Sequence, residues 1–291
     1  MSCYKYWSKI SEIAADLSKH EIGDLQKSSL DEIIPMLDAI EVIAHDQAID
    51  FDSAKHILDD QKMNDALKLI RRFYVKVGTR LEAHNAHTIL ESADPRAKLE
   101  SFHFYDRYVV LVGNEGHMAN LTAGDRVVFI GGGPLPLTLI LLHKFFGVKG
   151  TSIEMLPEIA DLSRKVLAKL GLDSEITVVD GDETALSRLD YDAVMVAAFA
   201  EPKERVFRNV GDAVTRETKI LYRTYSGMRA ILYAPVSVDD LKGFEELELI
   251  LPTGKVNNTS VMIRKCPEAL VRSDAQDACA NNPAAAGPSH R

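Results

Sequence analysis

Arg126-Val127-Val128-Phe129-Ile130-Gly131-Gly132-Gly133-Pro134-Leu135-Pro136-Leu137-Thr138 decides the fold. It opens with a short apolar, β-branched run, the pattern of a strand buried on both faces of a parallel sheet. Three glycines follow, and then a helical stretch from Leu137 to Phe146. Glycines at a strand-to-helix turn supply positive φ and let a ligand approach the backbone closely. The helix start adds free N–H groups.

Three ligand classes compete for such a turn. A nicotinamide dinucleotide normally asks for G-x-G-x-x-G, but Pro136 stands where the third glycine belongs. A P-loop asks for Gly-Lys-Ser/Thr, which is absent. S-adenosylmethionine has no phosphate to cradle, so a shorter turn suffices. Acidic residues downstream support this last reading. Glu154 ends the second strand and can accept both ribose hydroxyls, and Asp180-Gly181-Asp182 ends the third, where a carboxylate can receive the adenine amino group. Taken alone, each acid is as well explained as a solvated strand end. The ordered set favours a ligand at the carboxyl edge of an open sheet.

Working outward, the alternation repeats. Strands are expected over 150–153, 176–179, 192–197 and 219–222. Helices are expected over 157–170, after the third strand and over 201–214. That rhythm implies βαβ units. Residues 244–251 and 259–264 read as a closing antiparallel pair joined through Pro252-Thr253-Gly254. Upstream, 29–121 is helical in pattern. Leu30, Ile33, Ile34, Leu37, Ile40 and Ile43 recur at spacings of three and four. Leu67, Ile70, Tyr74, Val77, Leu81 and His84 do the same. Pro95 suits the first turn of a helix running toward Leu111. The expected class is therefore α/β: a Rossmann-like, S-adenosylmethionine-binding domain of the class I methyltransferase type (121–266), preceded by an all-helical domain (1–120). Beyond it, 267–291 reads as a disordered tail from its Ala, Asn, Pro and Ser content.

The net charge of −9 disfavours a phosphate backbone as partner, so no nucleic acid is expected. No apolar run of membrane length occurs, so no membrane partner is expected either. Cys3, Cys266 and Cys279 are scattered, which indicates neither a disulfide framework nor a zinc cage. Together with the plain amino terminus, they point to a reducing, cytoplasmic location.

Several short motifs, in order, resemble one family, the nicotianamine synthases. Leu81-Glu82-Ala83-His84 resembles the family's L-E-x-H. Phe102-His103-Phe104-Tyr105-Asp106-Arg107-Tyr108 resembles F-P-Y-Y-x-N-Y, with Glu115 matching a later acid. Gly133-Pro134-Leu135-Pro136-Leu137-Thr138 matches G-P-L-P-L-T. Tyr191-Asp192-Ala193-Val194 and Ala197-Ala198 match the fourth strand. Gly227-Met228-Arg229-Ala230-Ile231-Leu232-Tyr233 is similar to G-A-R-A-F-L-Y, and Asp240-Leu241-Lys242-Gly243-Phe244-Glu245 to D-L-R-G-F-E. The resemblance spans 77–265. His103 and Phe104 replace Pro and Tyr, and Asp106-Arg107 replaces a more neutral pair. The short chain is closer to the compact archaeal type than to the plant type.

The resemblance implies transfer of the 3-amino-3-carboxypropyl group of S-adenosylmethionine to an α-amine. The leaving group is 5′-methylthioadenosine and the product a nicotianamine-like metal chelator. A sulfonium offers three carbons to attack, so choosing Cγ over the methyl is a matter of orientation. Arg229 is the expected clamp for a substrate carboxylate. Glu82 is the expected general base, with Tyr108 and Tyr105 orienting the amine or relaying its proton. Gly131, Gly132, Gly133, Pro134, Glu154, Asp180, Asp182 and Ala197 are the expected donor contacts. Glu82, His84 and His87 could suggest a metal site, but two histidines at i, i+3 without a defined third ligand are usually surface or core residues, so no metal is expected. Glutamate or a second S-adenosylmethionine would be the acceptor, and a homodimer is permitted. An ordinary small-molecule methyltransferase shares the sheet and glycine turn but leaves the Glu82 and Tyr105/Tyr108 motifs unexplained. A non-catalytic donor-binding module is the third reading.

Overall fold

The computed structural model describes residues 3–19 and 28–267. Among the described residues six α-helices precede the first strand: α1 (Tyr4–Ser18), α2 (Leu30–Ala44), α3 (Phe51–Leu58), α4 (Asn64–Glu91), α5 (Pro95–Glu100) and α6 (Tyr105–Met118). Their starts follow local chemistry. Ser29 and Glu32 form a reciprocal capping box on α2, and Asp50 and Asp94 cap α3 and α5 with their side chains. Pro95 sits in the first turn of α5, where its missing N–H costs nothing. Along α4 the spaced residues Leu67, Ile70, Tyr74, Val77 and Leu81 are buried, whereas His84 is exposed.

Two expectations change here. The helix expected from Pro95 toward Leu111 is two helices, because the chain turns at 101–104 to bury Phe102 and Phe104, whose rings meet edge to face 5.4 Å apart. The amino-terminal α1, buried through Tyr6, Ile10 and Leu17, escaped the periodicity reading.

The strands are β1 (Arg126–Ile130), β2 (Lys149–Glu154), β3 (Ile176–Asp180), β4 (Ala193–Val196), β5 (Lys219–Thr224), β6 (Phe244–Ile250) and β7 (Thr259–Lys265). They form one sheet ordered β3-β2-β1-β4-β5-β7-β6. The first five pair in parallel, and β7 joins antiparallel to both β5 and β6. Crossover helices α7 (Leu137–Phe146), α8 (Pro157–Leu170) and α9 (Lys203–Ala213) link the parallel strands. After β3 the expected helix is only a six-residue 3-10 segment, Glu183–Arg188.

The order reverses between β1 and β4, which opens a crevice at their carboxyl ends. One hydrophobic core joins the amino-terminal helices to α7, α8 and one face of the sheet, and a second packs α9 on the other. Because α7 lies between helices and sheet, its residues 137–142 are all buried. Cys3 is a free thiol and Cys266 is disulfide-bonded, which the scattered spacing does not indicate. Among the described residues no helix is long and apolar enough to cross a membrane. The tail expected over 267–291 lies, apart from Pro267, outside the described residues.

Candidate active site

The crevice at the end of β1 is closed over by α4 and α6. Gly131 (φ +82°) and Gly133 (φ +65°) lie in the left-handed region that favours glycine. Gly132 is required for another reason: a Cβ there would fall 1.8 Å from Ser152 Oγ on β2. Ala197 N donates to Ile130 O at 3.0 Å, fixing the end of β4 beside the turn. Glu154 is held from both sides, accepting Gly133 N on Oε2 and Leu156 N on Oε1, each at 3.0 Å. Asp180 pairs with Arg164 on the open rim. Asp182 caps the 3-10 turn, and the Thr184 hydroxyl and amide hold its carboxyl below the usual range.

Above the turn lies a cavity of about 100 Å³. Glu82, Tyr108, Arg107, Arg223, Tyr225 and Asn258 are among its walls, with Gly131, Gly132 and Ala197 as its floor. A hollow of about 710 Å³ between α9 and the start of β6 is larger but holds no part of the glycine turn or the crevice. The topological switch point marks the smaller cavity as the site.

Glu82 is the group most altered by this setting. Burial against protein atoms raises its pKa from 4.5 to about 8. Arg223 opposes the rise, and the like charge of Glu154 adds to it. Its side chain keeps some exposure, which faces the cavity. Tyr108 beside it is pushed well above the ordinary phenol range, first by burial and then by the Glu82 charge.

Two arginines in the wall are each paired with a buried carboxylate. Arg107 binds Glu41 of α2 through both terminal nitrogens, at 2.6 and 2.8 Å. Arg223 of β5 binds Glu115 of α6 through Nε and Nη2, at 2.8 and 2.7 Å. Asn257 donates to both Glu41 Oε1 and the Tyr74 hydroxyl. Asn258 Nδ2 is buried with no hydrogen-bond partner among the described residues.

Not every expected residue lies here. Tyr105, at the first turn of α6, is buried away from the cavity, with its hydroxyl accepting from Lys144 Nζ at 3.2 Å. Three helical residues turn the chain through 300°, and that offset from Tyr108 is enough to send the two rings to different neighbours. Arg229 donates to the carbonyls of Val256 and Gly254, at 2.8 and 2.9 Å, and so braces the loop carrying Asn257 and Asn258. Arg107 and Arg223 were not singled out from sequence. An arginine inside the apolar run of β5 was the available signal, since a charge there must find a partner. His84 and His87 are exposed, and no group of three or more metal-ligating side chains forms among the described residues.

The profile of the family described as "Nicotianamine synthase protein" matches residues 5–270. Nicotianamine synthase 3 of Arabidopsis thaliana is 31% identical over 231 residues, covering 72% of this chain and 71% of its own. The nicotianamine synthase of Solanum lycopersicum is 27% identical over 228 residues, covering 72% and 71%. Among solved structures, MtNAS in complex with MTA and tNA superposes with a TM-score of 0.89 at 53% identity, covering 91% of this chain and all of that one. A glutamate-to-glutamine mutant of MtNAS in complex with S-adenosylmethionine gives 0.86 at the same identity and coverage.

Proposed function

The chain belongs to the nicotianamine synthase family, and from that premise we propose which residues carry its reaction. The protein is an aminocarboxypropyltransferase. It moves the 3-amino-3-carboxypropyl group of S-adenosylmethionine onto an α-amine, releases 5′-methylthioadenosine and builds a nicotianamine-type product. S-adenosylmethionine is the substrate.

In our reading the donor's adenosine lies along the open rim, with its ribose hydroxyls on Glu154 and its adenine toward Asp182 and Asp180. Gly131, Gly132, Gly133, Pro134 and Ala197 give the backbone surface beneath it. A cavity of about 100 Å³ is small beside the ~300–1,000 Å³ of typical ligand sites. Only the reacting end of the donor enters it. Aromatic rings of Phe129, Tyr108 and Tyr225 face a sulfonium there, which suits a cation. Arg223 replaces Arg229 as our carboxylate anchor, because its Nη1 donates to no described residue and it lines the cavity.

Glu82 is the general base. The acceptor's ammonium gives it a proton, the freed lone pair attacks Cγ, and the C–S bond breaks toward sulfur. The sulfonium charge vanishes as methylthioadenosine forms. The observation that carries this is a carboxyl set in the cavity directly over the glycine turn; burial lifts its pKa to about 8, α-amines titrate near ~8, and transfer between matched groups is efficient. Tyr108 orients the amine. Tyr105 has no role at the reacting atoms. We further propose that the acceptor is glutamate or a second S-adenosylmethionine and that the product serves as a metallophore. On the same footing stand a cytoplasmic location, a homodimer, and a division into helical (1–120) and Rossmann-like (121–266) domains.

Incubation with S-adenosylmethionine, with and without glutamate, tests the assignment. Methylthioadenosine plus an acceptor carrying one or more aminocarboxypropyl units is the expected result. S-adenosylhomocysteine would instead mean methyl transfer and would remove the roles given to Glu82 and Tyr108.

A further inference from the structure

Glu115 (1% exposed) and Arg223 (5% exposed) form an ion pair deep between α6 and β5. A carboxylate buried this far needs all its lone pairs directed. Here Oε1 accepts Arg223 Nε at 2.8 Å and the Ser260 hydroxyl of β7 at 2.9 Å, while Oε2 accepts Arg223 Nη2 at 2.7 Å. The guanidinium is thereby fixed 5.4 Å from the ring centroids of both Tyr108 and Phe129. It cannot swing away from the cavity.

Among the described residues, the charged and titratable groups facing Glu82 are few. Arg223 comes from β5, Glu154 from β2, and Tyr108 from α6. Arg107, also of α6, is neutralised by Glu41. Glu115 does for Arg223 what Glu41 does for Arg107: each carboxylate offsets its arginine, and Glu154 is the carboxylate left facing Glu82 without an arginine of its own in the wall. An unpaired arginine at this place would hold Glu82 ionised and make it a poor acceptor of protons.

We propose that Glu115 is a positioning residue that sets the base strength of Glu82 by offsetting much of the charge of Arg223 and fixing its guanidinium. This rests on the reading of Glu82 as general base. The two fail separately, as the following experiment shows.

The acidic limb of kcat/KM against pH is measured for the parent, Glu115→Gln, Ser260→Ala and the neutral pair Glu115→Gln/Arg223→Gln. In Glu115→Gln the limb is expected to move to lower pH by about 1–3 units, the range for an opposite charge close by. Ser260→Ala keeps both charges and should leave the limb in place. The neutral pair has no stranded arginine, so its limb should return to the parent position or above it. A limb in Glu115→Gln that coincides with the parent's would overturn the proposal. If that variant does not fold, a neutral-pair limb below the parent's does the same. Full activity of Glu82→Gln, with the parent limb unchanged in it, would overturn the base assignment and this proposal together.

Discussion

The carboxylate of Glu82 rests against the glycine turn: a Cβ built on Gly133 would stand 3.0 Å from Glu82 Oε2. The proposed base is thus set directly over the glycine turn. Gly133→Ala should therefore act twice. Its φ of +65° makes any L side chain cost roughly 1–2 kcal/mol, visible as a fall in Tm. The methyl also pushes the carboxylate aside, and displacements approaching 1 Å can cost ~100-fold in rate. Methylthioadenosine release should fall at least about tenfold in the fraction that remains folded.

The pH dependence follows from the same residue. In the donor-free protein Glu82 titrates near 8, so kcat/KM should decline as pH falls below about 8. A bound sulfonium favours the carboxylate, so the acidic limb of kcat should lie at lower pH than that of kcat/KM. Steady-state rates across pH 6–10 check both limbs; this range is chosen to span roughly two units about the expected pKa.

Stability should respond with a definite sign. The folded protein holds a proton on Glu82 more tightly than the unfolded chain does, since the pKa rises from 4.5 to about 8. The contribution is fully present below the unfolded value and is lost as pH rises through the folded one. Glu82→Gln, which cannot ionise, should therefore melt higher than the parent at pH about 9, with the gap closing toward pH about 4.5. Thermal melts at several pH values decide it. A gap that widens toward acid would mean that Glu82 is ionised in the folded state.

The two tyrosines separate site from scaffold. Tyr108 lines the cavity, whereas the Tyr105 hydroxyl is spent on Lys144. Tyr108→Phe should slow turnover with donor binding retained. Tyr105→Phe should leave turnover unchanged and at most lower Tm slightly. The reverse pattern would mean that the rotation of α6 differs from that described.

The fold and the site differ in how far the chain alone makes them legible. The β1–glycine–α7 unit was readable because its determinants are contiguous and its chemistry local, and Glu154 followed from strand spacing. Glu82 was readable only through a motif, since nothing in its neighbours announces that Gly133, far along the chain, will cover it. The arginine pairs were not readable. Arg107 and Glu41 are 66 residues apart, and Arg223 and Glu115 are 108 apart, so neither partner implies the other without the fold. Arg229 illustrates the converse. Its place in a motif suggested a ligand, but a guanidinium binds backbone carbonyls as readily as a substrate, and here it braces the loop before Asn257. Tyr105 lies outside the cavity, because helical spacing alone does not fix which neighbour each ring meets.

In the proposed reaction Glu82 acts on the proton of the acceptor and is dispensable for holding the donor. Equilibrium binding of S-adenosylmethionine to Glu82→Gln, measured beside its release of methylthioadenosine, tests this most directly. Donor affinity should stay close to the parent's, with release lowered by about 100-fold or more, as befits a lost general base. Release at the parent rate, with binding intact, would contradict it and leave the cavity without an identified base.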